Sequence, residues 1–198
     1  MKLKSICVYC GSSPGASPAY MGAANLLGAE MARRGIHLVY GGARVGLMGE
    51  VARSVLSAGG KVTGVIPEAL TDQEVAFDTL ENLIVVDSMQ SRKAKMEELA
   101  DGFIALPGGF GTFDELFEVL TGAQLGFHAK PSGLLNVERH YDHLLTFIDH
   151  TVKEKFVHLP HREMIHVSDN PADLIDQMAL FDKPPIRKTD WVHSMNKK

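Results

Sequence analysis

Pro107-Gly108-Gly109-Phe110-Gly111-Thr112-Phe113-Asp114-Glu115 reads as a turn between a strand and a helix. Ahead of it the apolar run Gly102–Leu106 reads as a buried strand, and a helical pattern runs from Phe113 to about Leu125. Glycines at such a turn let the backbone come close to a ligand and aim successive N–H groups at an anion. The helix behind them adds the positive end of its dipole. A phosphate is therefore expected at the Gly109–Thr112 turn, with the Glu115 carboxylate one turn further on. Thr112-x-x-Glu115 also fits a capping box, in which Thr112 caps the helix and Glu115 reaches back to the Thr112 N–H. The pattern alone admits both readings.

Outward from this turn, apolar strands alternate with amphipathic helices over most of the chain. Strands are expected at Ser5–Cys10, His37–Tyr40, Lys61–Ile66, Asn82–Val86 and Ser132–Val137. Helices are expected at about Pro18–Arg34, from the Gly41–Gly49 loop to Ala58, and at Met89–Ala100 and Tyr141–Lys155. A last helix starts at Asn170-Pro171, with proline near its first position. Alternation of this kind with continuous apolar strands specifies a parallel sheet covered on both faces, an α/β fold. Its ligands belong beyond the C-terminal ends of the strands, at the switch point, where every glycine-rich loop of this chain falls. One domain over residues 1–180 is expected, with 181–198 as a C-terminal tail.

At 198 residues and 45% hydrophobic content the chain can bury one sizeable core. A net charge of −4 lacks the basic face that nucleic acid requires. No run approaches the ~20 apolar residues of a membrane span, and the short apolar run at the start meets Gly11-Ser12-Ser13-Pro14, so a cytoplasmic protein is expected. Cys7 and Cys10 have the C-x-x-C spacing, but both fall in the first strand, where residues three apart face opposite ways. Buried, reduced thiols are expected there rather than a redox pair. The histidine pairs His140/His143 and His158/His161 have no ligand pattern beside them, so no metal is expected.

The other loops are less specific. Gly11 and Ser12 after the first strand suit a phosphate or ribose contact, or only a polar turn. The loop carrying Gly41, Gly42 and Gly46 is neither a dinucleotide fingerprint nor a Walker loop, which leaves a mononucleotide cradle open. Arg92 and Lys93 open a helix, where two cations oppose the helix dipole. They form either a solvated face or part of the same anion site.

Three ordered blocks, Gly41-Gly42-x-x-x-Gly46-Leu47-Met48-Gly49, Ser91-Arg92-Lys93-Ala94-x-Met96 and Pro107-Gly108-Gly109-x-Gly111-Thr112-x-x-Glu115, resemble the LOG ("Lonely Guy") proteins. These are cytokinin-activating nucleoside 5′-monophosphate phosphoribohydrolases. The resemblance runs from about Ser5 to Leu180 and implies a Rossmann-like, doubly wound sheet. It also implies hydrolysis of the N-glycosidic bond between an adenine-type base and ribose 5-phosphate, without a cofactor. Arg92 and Glu115 match the catalytic pair. Lys93 and the turn Gly108, Gly109, Phe110, Gly111, Thr112, with Phe113 and Asp114 beyond it, match phosphate and ribose contacts. Glu74 and Thr121 match further substrate contacts, Glu74 otherwise reading as a solvated loop acid. A homodimer with sites near the subunit interface is implied as well.

The chemistry suits these residue types. Cleavage of a ribosyl–nitrogen bond passes through an oxocarbenium-like state, positive at C1′. A carboxylate near the ribose can stabilise that cation or activate water, and an arginine can stabilise anionic groups. Lysine decarboxylase, a label often attached to such sequences, would need pyridoxal phosphate on a Schiff-base lysine, which a phosphate loop does not provide. The alternative function is a binding module, since relatives of similar fold carry molybdenum cofactor or sense nucleotides without hydrolysing them.

Overall fold

A computed structural model describes residues 2–71 and 76–182. Glu74 and the expected tail over 183–198 lie outside the described residues. The elements run β1 (Ser5–Tyr9), α1 (Pro18–Arg33), β2 (His37–Tyr40), α2 (Gly46–Ser57), β3 (Val62–Pro67), the single turn α3 (Glu68–Leu70) and β4 (Leu83–Val86). They continue as α4 (Met89–Leu99), β5 (Gly102–Ala105), α5 (Phe110–Leu125), β6 (Ser132–Leu135), α6 (Asp142–Lys153), α7 (Leu159–Arg162), β7 (Ile165–Ser168) and α8 (Pro171–Ala179). All strands pair in parallel in the order β4-β3-β2-β1-β5-β6-β7. The order reverses between β1 and β5, so the crevice of this doubly wound sheet opens where Gly11 and Pro107 leave it.

The alternation of side chains along each strand builds the two faces. Ile6, Val8, Leu38, Tyr40 and Ile104 point to one side and pack with Leu27, Met31 and Val51 of α1 and α2 and with Leu174 and Met178 of α8. Cys7, Tyr9, Val39, Val65 and Phe103 point to the other and pack with Met96 of α4 and Val119 of α5. A third cluster joins Ala105, Leu116, Leu134, Tyr141 and Ile148 beneath α5 and α6. Cys7 and Cys10 accordingly fall in opposite clusters as free, buried thiols. Burial pushes both up, Glu115 adding to the effect, so neither has the thiolate character of a redox cysteine.

Capping residues set several boundaries. Ser17 accepts from Ala19 N at the start of α1, Ser88 from Ser91 N at α4, and Asn170 from Ala172 N and Asp173 N at α8. Proline fills the first helical position in α1 and α8. Sequence patterns did not signal β7 or α7. Ile-His-Val-Ser is a four-residue edge strand, mostly half-buried, and too short to show a period. Among the described residues, no helix is long and apolar enough to cross a membrane.

One boundary changes the reading of the site. α5 begins at Phe110 rather than Phe113, with Gly109 as its N-cap and no side-chain cap at all. Thr112 and Glu115 therefore do not form a capping box: Thr112 already lies inside the first turn. Glycine at the cap and again at position 111 lets the helix start early, at the cost of helix propensity. Gly126, left-handed at φ 84°, ends it, and Phe127 N donates to Gly122 O.

Candidate active site

The loops after β1, β2 and β5 interlock at the crevice. Gly11 N donates to Pro107 O at 3.0 Å and Leu47 N to Gly11 O at 3.1 Å. A Cβ on Gly108 would stand 2.1 Å from Thr112 Oγ1, so only glycine lets this turn close against the buried Thr112. Tyr141, buried beneath α5, donates its hydroxyl to Leu106 O at 2.6 Å and holds the end of the strand leading into the turn. Gly109 and Gly111 have open space where a side chain would be. With no side chain capping the helix, the N–H groups of Phe110, Gly111 and Thr112 are left for an acceptor from outside. Phe110 itself is 92% exposed beside them.

From Thr112 the helix rises about 4.5 Å to Glu115, which is buried and turned inward to meet Arg92. Arg92 comes from the second turn of α4 and is equally buried. Its Nε donates to Val65 O of β3 at 3.1 Å and its Nη2 to Gly41 O, just past β2, at 3.2 Å. Nη1 then faces Glu115 Oε1 at 3.6 Å, an ion-pair distance longer than a hydrogen bond. Burial raises the Glu115 carboxyl to about 7 against the opposing pull of Arg92, with Asp114 and Glu118 adding to the rise. A carboxyl poised near neutral pH, one turn into a helix whose N-terminus no side chain caps, is suited to general acid–base work.

The sequence-derived residues divide into two sets. Arg92, Glu115, Gly108, Gly109, Phe110, Gly111 and Thr112 come together with Gly11 at the crevice. Lys93 faces elsewhere: its ammonium is held by Asp114 at 3.0 Å and Glu118 at 2.7 Å on the outer side of α5. Those carboxylates raise the lysine's affinity for its proton and occupy its charge. Thr121 lies about 9 Å along α5 from Glu115 and lines an apolar groove of about 220 Å³ with Phe117, Leu120, Phe147 and Val157. Ser12 lies against Gly46, whose φ of +55° and absent side chain let the two loops cross. Gly42 packs against Ile66.

Sequence reasoning missed the main-chain carbonyls of Val65 and Gly41. Backbone acceptors carry no residue-type signature, and only the glycine at 41 marked the place. Among the described residues, no group of three or more His, Cys, Asp or Glu could hold a metal ion.

Comparison with known proteins identifies the family of the chain. The family described as "Possible lysine decarboxylase" matches residues 48–178. Cytokinin riboside 5′-monophosphate phosphoribohydrolase LOG7 of Arabidopsis thaliana is 49% identical, over 91% of this chain and 83% of the relative. LOG2 of the same plant is 48% identical over 98% and 90%. The probable phosphoribohydrolase LOGL5 of Oryza sativa subsp. japonica is 48% identical over 93% and 75%. Among solved structures, the molybdenum cofactor binding protein of Rippkaea orientalis superposes with a TM-score of 0.68 at 22% identity, covering 90% of this chain and 97% of that one. The Moco carrier protein of Chlamydomonas reinhardtii gives 0.67 at 23%, covering 90% and 98%. Those two share the Rossmann-like architecture alone, whereas identity near one residue in two along nearly the whole chain is a kinship of sequence: this protein belongs to the LOG family of phosphoribohydrolases.

Proposed function

We propose that the protein hydrolyses the N-glycosidic bond of adenosine 5′-monophosphates, N6-modified ones included, releasing the free base and ribose 5-phosphate. The observation that carries the reading is the buried Arg92–Glu115 pair beneath an uncapped helix N-terminus. The phosphate accepts from the N–H groups of Phe110, Gly111 and Thr112, and the ribose extends toward Glu115. As the C1′–N9 bond breaks, positive charge develops at C1′ and the electron pair leaves with the base. The Glu115 carboxylate stabilises that charge and takes a proton from the water whose oxygen bonds to C1′. The proton taken up by Glu115 passes on to a nitrogen of the departing base, which leaves neutral and restores the carboxylate. Arg92 holds that carboxylate in place while offering Nη1 to anionic groups. No cofactor takes part in this scheme. A carrier of an anionic cofactor would gain nothing from a buried carboxylate at the floor of its anion cradle, which disfavours the binding-module reading.

Incubation with AMP and N6-substituted AMPs, followed by chromatography for free base, tests the proposal directly. The monophosphate should be cleaved and the matching riboside hardly at all, because binding of the non-reacting phosphate positions the sugar. Comparable kcat/KM for riboside and monophosphate would overturn the phosphate assignment.

The proposal extends to a homodimer built on the outer face of α5. Phe117 and Phe147 stand exposed along the apolar groove, and exposed Leu125 and Phe127 line the adjoining cleft that shares Phe117 and Thr121, apolar surface that a lone soluble chain would rarely leave uncovered. Light scattering at micromolar concentration should give twice 21.6 kDa for the native chain. Phe117→Lys should shift the mass toward a single chain, and a native mass of one chain would refute the dimer. A cytoplasmic setting, supported by the two buried unpaired thiols, completes the reading.

A further inference from the structure

We propose that Gly41 is a positioning residue for catalysis, a socket that seats the Arg92 guanidinium, rather than part of a phosphate loop. The inference rests on the phosphoribohydrolase reading above and adds to it the element that aims its arginine. A Cβ built on Gly41 would stand 1.8 Å from Arg92 Nη2 and 3.0 Å from Cζ, the remaining near neighbour being Met48 Sδ at 3.1 Å. Any side chain at 41 and the observed Arg92 rotamer are thus mutually exclusive, and the side chain that must move is the arginine's. Gly41 also supplies the carbonyl that accepts from Nη2, while Val65 O accepts from Nε.

Two main-chain acceptors, Val65 O within β3 and Gly41 O just past the end of the adjacent parallel β2, fix the plane of the guanidinium. That leaves Nη1 as the nitrogen facing Glu115. The sheet backbone therefore holds the arginine more firmly than its long ion-pair contact with Glu115 could. Gly41 has no left-handed backbone conformation, whereas its neighbour Gly42 has φ +76°. Alanine at 41 is therefore free of backbone strain, and its effect reports on Arg92.

Gly41→Ala, Arg92→Ala and the double variant test the socket. Gly41→Ala should lower kcat by about 10- to 100-fold with a much smaller change in KM, the signature of a displaced group rather than lost ground-state binding. Withdrawal of the guanidinium should also move the acidic limb of the kcat/KM profile upward by about one pH unit, since an opposite charge nearby favours the ionised carboxylate. In the Arg92→Ala background, Gly41→Ala should cost no further kcat and no further thermal stability, because the added methyl occupies vacated space. If Gly41→Ala alone fails to fold, a folded double variant supports the socket, and a double variant that also fails to fold refutes it. Wild-type kcat with an unmoved limb in Gly41→Ala, or an equal further loss in the Arg92→Ala background, would also overturn it. Absence of hydrolysis by the wild type would refute the phosphoribohydrolase reading instead, and thermal melts of the same three variants would still show whether 41 and 92 are coupled.

Discussion

Glu115→Gln should lower kcat on a nucleoside 5′-monophosphate by roughly 10²–10⁴-fold, the range for losing a positioned acid–base group, and leave the fold intact. The amide keeps the shape of the carboxyl and loses its negative charge. In the wild type, kcat/KM should rise with pH along a limb near 7, as Glu115 ionises, and this limb should vanish in the variant. Stability separates the two proteins in the opposite sense. The folded chain keeps a proton on Glu115 between 4.5 and about 7 that the unfolded chain has released. Stability is therefore complete at the acidic end and declines as pH rises through that window, in all by on the order of 3 kcal/mol. Glutamine removes this decline. Denaturant unfolding should find the two proteins alike near pH 4 and the variant more stable at pH 8, while its activity is lost. Full activity in Glu115→Gln, on a substrate the wild type clearly cleaves, would refute the mechanism and favour the binding module.

Arg92→Ala should also cost about 10²–10³-fold in kcat, comparable to deleting one preorganised donor. Its effect on stability reverses what its place near a helix N-terminus implies. A cation there opposes the dipole, so its removal would be expected to stabilise by a few tenths of a kcal/mol. Arg92 is instead buried, donates to two main-chain carbonyls and faces a carboxylate. Its loss strands Val65 O and Gly41 O and leaves Glu115 without its cation, a penalty of about 2–4 kcal/mol at pH 8. Near pH 5, where Glu115 is protonated with or without Arg92, the penalty should shrink toward that of the two carbonyl bonds. Urea unfolding at both pH values measures this, and an unchanged or increased stability at pH 8 would show that the observed contacts do not hold the arginine.

Much of the architecture was legible in local pattern. His37–Tyr40 is seen as expected, and β1, α1, α4 and β5 end within a residue or two of expectation. Continuous apolar strands and a proline near the first helical position, as at Asn170-Pro171, are short-range signals that tertiary packing had no reason to override. α5 shows where such signals stop. Thr112 and Glu115 carry the letters of a capping box, yet the helix begins at Phe110 because Gly109 can serve as an N-cap without a side chain. Whether that end is closed by its own chain or left open for a ligand depends on where Gly108 packs against Thr112 and Gly11, a contact between loops far apart in sequence.

Periodicity and glycine placement, each read within some twenty residues, were enough to specify the parallel α/β sheet, the crevice at the ends of its strands and a glycine-rich turn at Gly109–Thr112 between β5 and α5. What the charges do was settled by packing in three dimensions. Arg92 and Lys93 are adjacent in sequence and chemically alike, but neighbours on a helix point about 100° apart. One is driven under the sheet ends against Val65 O, Gly41 O and Glu115, and the other is held outside between Asp114 and Glu118. Burial then lifts Glu115 to about 7. Its physical cause is the exclusion of water by several elements at once, which no single stretch of sequence contains.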